Sequence, residues 1–205
     1  MGFFQQLTEK PWVVEHGRVV DLHERRAFLL PTATLGLRMF LAVITVLFSL
    51  LVIAYADRMM VADWHPLPEP GLLWLNTAIL IASSAGLQWA AMSARRSEID
   101  GVRTGLLGGG VFAFAFLVGQ LFAWQELVDL GYFVASNPAN AFFYLVTALH
   151  GLHLLGGLVA WGRTSNKVWR GIGVVQVRLS VELCAIYWHF LLLVWLILFG
   201  LLLFT

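Results

Sequence analysis

The stretch Val181-Glu-Leu-Cys-Ala-Ile-Tyr-Trp-His-Phe-Leu-Leu-Leu-Val-Trp-Leu-Ile-Leu-Phe-Gly-Leu-Leu-Leu-Phe204 decides the fold of this chain. Among its 24 residues, Glu182 and His189 are the only acidic, basic or histidine side chains, and the apolar residues do not alternate as in a strand. A hydrocarbon layer about 30 Å thick needs about 20 residues of helix, and a helix satisfies its backbone hydrogen bonds within one segment. The stretch is therefore predicted to be a membrane-spanning helix.

The rest of the chain has the same character. Of its 205 residues 60% are hydrophobic and 12% are charged, whereas a soluble domain carries about 25% charged residues. The net charge of +1 offers no basic surface to nucleic acid, and the single cysteine, Cys184, cannot form an internal disulfide. Five membrane spans are predicted: Leu35–Tyr55, Leu72–Met92, Thr104–Glu126, Asn140–Trp161 and Val181–Phe204.

The fold class is therefore predicted to be all-α, a polytopic membrane protein with a bundle of five transmembrane helices over residues 34–205. Residues 1–33 form a predicted cytoplasmic tail. The thirteen basic residues are distributed 5, 1, 3, 0, 4, 0 over the successive compartments. Because basic residues are retained on the cytoplasmic side, we expect the N-terminus inside and the C-terminus outside. Aromatic residues near the span ends agree with interfacial belts: Trp64, Trp74, Trp89, Trp124, Tyr132 and Trp161.

Ionisable side chains within the apolar spans are the candidate functional residues, because such groups are costly in hydrocarbon unless something satisfies them. His150 and His153 lie on the face of the fourth span that also carries Thr147, whereas Glu182 and His189 are seven residues apart on the fifth. A rise of 1.5 Å per residue places His153 and His189 at similar depths. We hypothesise that these two histidines face each other or share a network with Glu182, so that His153→Leu would destabilise the bundle markedly.

Three interpretations of these residues compete. They are satisfied polar groups that fix helix register, ligands of a haem or metal, or part of a proton or substrate path. A bis-histidine haem needs histidines on two helices at suitable spacing, and no Cys/His cluster of the zinc type is present. A path needs ionisable groups through the full depth, whereas the first two spans offer only neutral groups such as Asn76 and Gln88. The structural interpretation is favoured, and no metal ligand is predicted.

Two charged residues at span ends complete the set. Glu126 ends the third span on the outer side, where water can solvate it, and Arg38 at the inner end of the first span can bind lipid phosphate. No phosphate loop, nucleophilic triad or dinucleotide fingerprint is present, so the chain is not predicted to be catalytic by itself.

Several motifs resemble subunit III of haem–copper oxidases, that is, the cytochrome c oxidase subunit 3 family in a short five-helix form. Phe143-Tyr-Leu-Val-Thr-Ala-Leu-His-Gly-Leu-His-Leu-Leu-Gly-Gly157 is similar to the family's histidine-bearing helix, and Val181-Glu-Leu-Cys-Ala-Ile-Tyr-Trp-His-Phe190 to its last helix. Leu75-Asn76-Thr77, Gln120 to Glu126, and Leu35-Gly-Leu-Arg-Met-Phe-Leu-Ala42 resemble further segments. The similarity covers about Leu35–Phe204.

The resemblance implies an accessory subunit without its own redox centre, in the bacterial-type inner membrane. It would pack against a catalytic subunit I that holds haem and copper, bind phospholipid, and stabilise a terminal oxidase that reduces oxygen with electrons from cytochrome c or quinol and translocates protons. The structural polar residues expected are Asn76, Glu126, His150, His153, Glu182 and His189.

The sequence departs from the family at two positions. The family usually places Ser-Glu where Val43-Ile44 stand here, and an acidic residue follows its Trp-His-Phe motif where Leu191 stands. The family's role for the missing glutamate, in lipid contact and support of proton uptake, therefore does not carry over to Ile44. The departures leave open a related accessory subunit of a nitric oxide reductase system. An independent membrane haem protein and a small transporter are further alternatives.

Overall fold

The computed structural model describes residues 32–61, 64 and 71–203, and within them the chain is helical with short turns. The predicted tail lies almost entirely outside the described residues, as does Phe204. The five helices are α1 (Thr32–Arg58), α2 (Leu72–Arg95), α3 (Ile99–Asp129), α4 (Pro138–Trp169) and α5 (Val174–Leu203). All five are long and apolar enough to cross a membrane, which confirms the predicted all-α fold with five spans.

The helices extend beyond the apolar segments that predicted them. The fourth continues eight residues past Trp161, and the fifth begins seven residues before Val181. Hydropathy reports the length that crosses hydrocarbon, whereas a helix continues for as long as its backbone bonds and packing persist. The C-terminal extension of α4 and the N-terminal extension of α5 are packed inside the protein: Thr164, Ser165, Val168 and Val177 are all buried.

Turns that contain glycine end α3 and α4. Gly131 and Gly171 adopt positive φ angles of 88° and 77° directly after α3 and α4. At the end of α3 the amides of Gly131 and Tyr132 donate to the carbonyls of Val128 and Leu127, and the turn after α4 has the same pattern. Glycine is the usual residue here because the left-handed conformation crowds any side chain. The connections are short, residues 130–137 and 170–173, so α3, α4 and α5 are consecutive antiparallel neighbours.

Residues 37–203 belong to one compact unit, to which all packing contacts described below belong. In it α2 packs against α3 and α5, and α4 packs against the same two helices, so these four helices form a closed ring. Its core contains the fully buried Phe116, Trp188 and Trp195. The first helix attaches to the outside of this ring mainly through aromatic contacts, with Phe40 stacked on Tyr187 and Phe48 against the rings of His150 and His153.

Glycines bring α2 and α3 into backbone contact. A Cβ atom on Gly105 would lie 2.6 Å from the amide nitrogen of Ala90, and one on Gly86 would lie 2.8 Å from that of Gly109. Small residues at such interfaces let dispersion contacts form between backbones, which matters in a membrane because lipid is as apolar as the side chains. The approach also places the Ser83 hydroxyl 2.7 Å from the Gly109 carbonyl oxygen, to which it donates.

Replacing Gly105 by alanine should destabilise the fold by about 1–3 kcal/mol, because the new methyl group meets backbone atoms that cannot move independently. Gly108→Ala is the matched control, since a Cβ there meets nothing within 4 Å, and it should be neutral or stabilise by up to about 1 kcal/mol. Thermal unfolding of the full chain in detergent micelles measures both. Equal midpoints for the two variants would contradict the close approach of α2 and α3.

Candidate functional site

Buried indole groups join the helices through hydroxyl groups. The Nε1–H of Trp188 donates to the Ser83 hydroxyl over 3.0 Å, and that of Trp195 donates to the Thr77 hydroxyl over 2.9 Å. Both bonds connect α5 with α2, and both indoles are fully buried. Because Ser83 also donates to the Gly109 carbonyl, one hydroxyl links α5, α2 and α3.

The same chemistry joins α3 with α4. The indole of Trp124 donates to the Thr147 hydroxyl over 3.1 Å, and that of Trp161 donates to the Leu106 carbonyl over 2.8 Å. We expected Trp124 and Trp161 in interfacial belts, but each side chain is half-buried and bonds a neighbouring helix. Trp74 and Trp89, in contrast, are about 60% exposed, as belt residues would be.

His189 joins α5 to α2 with both of its ring nitrogens. Nδ1 is hydrogen-bonded to the Ser84 hydroxyl, and Nε2 lies 2.9 Å from Oε1 of Gln88. Because an amide oxygen can only accept, Nε2 carries the proton of the neutral ring and Nδ1 accepts from Ser84. The imidazole therefore has a complete set of partners, all of them on α2, although His189 and Gln88 both reach the outer surface of the bundle.

Glu182 forms an ion-pair group two turns further along the same pair of helices, toward the C-terminal end of α2. Its Oε1 accepts from Nε of Arg95 over 2.9 Å and from Nε of Arg178 over 3.1 Å. The two arginine side chains are 61% and 50% exposed, whereas that of Glu182 is 21% exposed. One carboxylate thus pairs with two arginines and connects the C-terminal end of α2 to the N-terminal third of α5.

The histidines of α4 have other surroundings. His150 is fully buried among the rings of Phe48, Phe116 and Trp195, and neither ring nitrogen has a hydrogen-bond partner within the described residues. Nδ1 of His153 lies 2.7 Å from the Leu149 carbonyl on its own helix, and its ring packs against Phe48. The His153 carbonyl accepts from the Tyr187 hydroxyl over 3.0 Å, which joins α4 to α5.

The hypothesis that His153 and His189 share a network with Glu182 is therefore wrong. The side chain of His153 bonds its own helix, that of His189 bonds α2, and that of Glu182 bonds two arginines. Depth along the helices was the only basis for pairing these residues, and depth does not specify the direction in which a side chain points. The marked destabilisation expected for His153→Leu depended on that network, so it is no longer expected.

The remaining candidates are at separate places. Asn76 and Gln120 are buried on α2 and α3, and none of their amide atoms has a hydrogen-bond partner in the described part of the chain. A Cβ on Gly119 would lie 2.0 Å from Oδ1 of Asn76, so this glycine makes room for the amide group. Glu126 is exposed near the end of α3, and Arg38 is exposed on α1. Over residues 32–61, 64 and 71–203, no three His, Cys, Asp or Glu side chains gather as a metal site would require.

A groove between α1, α4 and α5 is a feature that the sequence did not reveal. It encloses about 410 Å³, its walls are mainly apolar, and they include Phe40, Gly157 and Tyr187. Arg163 lines the groove on α4, together with the hydroxyl-bearing residues Thr164 and Ser180. Arg38, the predicted lipid-binding residue, does not line it. Gly156 and Gly157 in the histidine motif were a usable signal, because small residues leave space on a helix surface.

These observations define a class of protein: a polytopic helical membrane protein whose intramembrane polar groups are used mainly to join its own helices. The sequence model of the family described as cytochrome c oxidase subunit III matches residues 23–204. The chain is 32% identical over 176 residues to a protein of Thermostichus vulcanus named cytochrome c oxidase subunit 3, an alignment that covers 82% of this chain and 85% of the relative. A Mycobacterium bovis protein named probable cytochrome c oxidase subunit 3 is 33% identical over 144 residues, which is 67% of this chain and 69% of the relative.

A third relative, cytochrome c oxidase subunit 3 of Synechocystis, is 29% identical over 173 residues, covering 80% of this chain and 72% of the relative. The chain belongs to the cytochrome c oxidase subunit III family. The resemblance inferred from the histidine-bearing motifs is thereby confirmed.

The two histidines should differ in their contribution to stability. His189→Leu leaves Ser84 and Gln88 without their partner and removes a connection between α2 and α5, so a loss of about 1–2 kcal/mol is expected for interhelical bonds in a membrane. His153→Leu removes a bond within one helix and should cost less than about 0.5 kcal/mol. Unfolding of the full chain in mixed micelles compares them. A larger loss for His153→Leu would contradict these contacts.

Proposed function

We propose that this chain is an accessory subunit of a terminal respiratory oxidase, without a cofactor of its own, that stabilises the catalytic subunit and binds phospholipid. The observation that carries the proposal is the family match over residues 23–204, nearly the whole chain. The catalytic subunit would hold the haem and copper at which oxygen is reduced with electrons from cytochrome c or quinol, coupled to proton translocation. In this assignment the present chain supplies packing surface and lipid contacts, and no reacting group.

The arrangement of polar side chains supports an accessory role. His189, Glu182 and the buried indoles are engaged in contacts between helices, and the aromatic cage of His150 leaves its ring in contact with Phe48, Phe116 and Trp195. The histidines of α4 share one phenyl ring, whereas His189 lies against α2. A haem held between two helices would need histidines directed toward one common space, and this arrangement does not favour an independent haem protein.

The groove lined by Arg163 supports the lipid-binding part of the proposal. Its apolar walls suit acyl chains, and a guanidinium beside two hydroxyl-bearing residues suits a phosphate group. Arg163 belongs to the last third of α4, among the basic residues that predict a cytoplasmic end. The bound lipid would therefore belong to the inner leaflet. The same distribution of charge supports an N-terminus inside and a C-terminus outside, in a bacterial-type inner membrane.

A related role in a nitric oxide reductase system is the second candidate function. Two buried positions at which this chain departs from oxidase relatives support it. Ile44 is 2% exposed and Leu191 is fully buried, at the positions where oxidase relatives usually carry acidic residues. An acidic side chain would be costly at such positions without a partner. Proton-related roles of those acids are therefore absent from this chain, and the electron acceptor of the complex must be measured.

Affinity purification with a tag on this chain decides the proposal. After gentle solubilisation, a catalytic chain should co-purify, and the preparation should show a Soret band and consume oxygen. Membranes that express this chain alone should yield no Soret band after the same purification. A complex that reduces nitric oxide but not oxygen would establish the second candidate, and a Soret band in the lone chain would contradict the cofactor-free role.

Arg163→Gln should reduce the phospholipid that remains with the purified complex, because the groove loses its only charged side chain among the residues that line it. Arg170→Gln is the control, since Arg170 is exposed at the end of α4 and does not line the groove. Arg38→Gln tests the site expected from the sequence. Phosphorus analysis by mass spectrometry measures the lipid retained. Loss only with Arg38→Gln would contradict the assignment to Arg163.

A further inference from the structure

The outer edge of the contact between α2 and α5 carries polar side chains in a regular series. Gln88 and Arg95 are seven residues apart on α2, and Glu182 and His189 are seven residues apart on α5. Seven residues are two helical turns, so each pair lies on one face of its helix. The pairs meet across the two helices, Gln88 with His189 and Arg95 with Glu182.

Apolar residues continue this edge toward the outer end. One and two heptads before Gln88 are Ile81 and Trp74, which are 47% and 59% exposed, and one heptad after His189 is Leu196, which is 46% exposed. We call the whole series the α2–α5 edge, formed by Trp74, Ile81, Gln88, Arg95, Glu182, His189 and Leu196. Two antiparallel helices with surface residues at heptad spacing present the shallow groove into which a third helix packs.

Gln88 offers hydrogen-bond donors at the surface of the α2–α5 edge. Its Oε1 accepts from His189, but neither N–H of its Nε2 donates to any of the residues that the structure describes. The side chain is exposed, about 10 Å along the helix from Arg95 at 1.5 Å per residue. Acyl chains cannot accept a hydrogen bond, and a polar group exposed to lipid at this depth costs free energy that a protein partner would recover.

The charges at the inner end of the edge narrow the choice of partner. Arg95 and Arg178 against Glu182 leave one net positive charge, with both arginines half-exposed or more. A second copy packed on the same edge about a twofold axis would bring equal patches together and place like charges in contact. A helix from a different chain, with an acceptor opposite Gln88 and a carbonyl or carboxylate group near Arg95, avoids that repulsion.

We propose that a membrane-spanning helix of the catalytic subunit packs on the α2–α5 edge and accepts a hydrogen bond from Nε2 of Gln88. The proposal rests on the proposed function, since it names the surface through which the accessory subunit would act. Ile81 and Leu196 supply the apolar contacts on the outer half, while Arg95 faces an acceptor at the inner end. His189 acts as a positioning residue, because its Nε2–H fixes the orientation of the Gln88 amide.

Site-specific photo-crosslinking of the tagged full chain in native membranes tests the surface. A benzophenone amino acid replaces Ile81 or Leu196 on the edge, or Val111 or Leu121 on the outer face of α3 as controls of similar exposure, 57% and 55%. Cross-links to the haem-bearing chain are expected from the two edge positions and should not form from the two control positions. Because the substituted residues are exposed and apolar, the Gln88–His189 pair remains intact.

Gln88→Leu gives the second measurement. It should reduce the catalytic chain that co-purifies with this chain about threefold or more, the effect expected for one hydrogen bond between helices in a membrane. Thr45→Val is the matched control, since Thr45 is also exposed but lies on α1 and donates to the Leu41 carbonyl of its own helix. Its yield of catalytic chain should not change. The yield of the Ile81 cross-link is compared between the wild-type background and Gln88→Leu, and thermal unfolding of the lone chain is measured for both. A lower cross-link yield with an unchanged unfolding midpoint indicates loss of docking, whereas a lower midpoint indicates loss of the fold.

The remaining results would refute either the docking surface alone or the proposed function as well. Cross-links from the α3 controls alone, with the catalytic chain still co-purifying, would refute the α2–α5 edge and leave the proposed function standing. Edge cross-links only to lipid or to a second copy of this chain would likewise refute the assigned occupant. Failure of any haem-bearing chain to co-purify with the wild-type protein would refute the proposed function together with the docking surface.

Discussion

The ring of four helices depends on single polar bonds placed inside close apolar contacts. Indole N–H groups join α5 to α2 and join α3 and α4 to each other, the Tyr187 hydroxyl joins α5 to α4, and the Ser83 hydroxyl joins α2 to α3. Lipid competes for apolar contact but offers no hydrogen bond at this depth. Each bond therefore specifies which helix is the neighbour and at what height, while dispersion contacts such as those at Gly105 supply attraction.

Tryptophan suits this task because it combines a large apolar surface with one donor. Trp195 is fully buried and contacts Phe116, His150 and Phe199 while its N–H reaches Thr77. A serine or threonine acceptor has a further advantage: Thr77 and Thr147 donate their own protons to carbonyls one turn earlier, so no donor is left over. The α1 helix packs on its neighbours through aromatic rings such as those of Phe40 and Phe48, beside the groove lined by Arg163.

The sequence predicted the five spans because an apolar run of about 20 residues has few structural alternatives. It could not predict the partners of the polar residues, since periodicity gives the face of one helix and not the neighbour toward which that face turns. His189 illustrates the difference. Its depth suggested His153, but the antiparallel order of α2 and α5 brings Ser84 and Gln88 to it instead. The signal available in the sequence was the pair of equal spacings, 88 to 95 and 182 to 189, together with the complementary side chains that an antiparallel order brings opposite each other, Arg95 with Glu182 and Gln88 with His189.

The two contacts of the α2–α5 pair show how one interface can serve two purposes. On the side that faces the core of the bundle, the hydroxyl groups of Ser83 and Thr77 accept hydrogen bonds from the indoles of buried tryptophans. Every donor of these four side chains is used within the chain. On the side that faces away from the core, the Gln88 amide oxygen accepts a hydrogen bond from His189, and the amide nitrogen of Gln88 remains a donor at the surface. In the proposed docking, this donor is the group that α2 offers to the helix of the catalytic subunit.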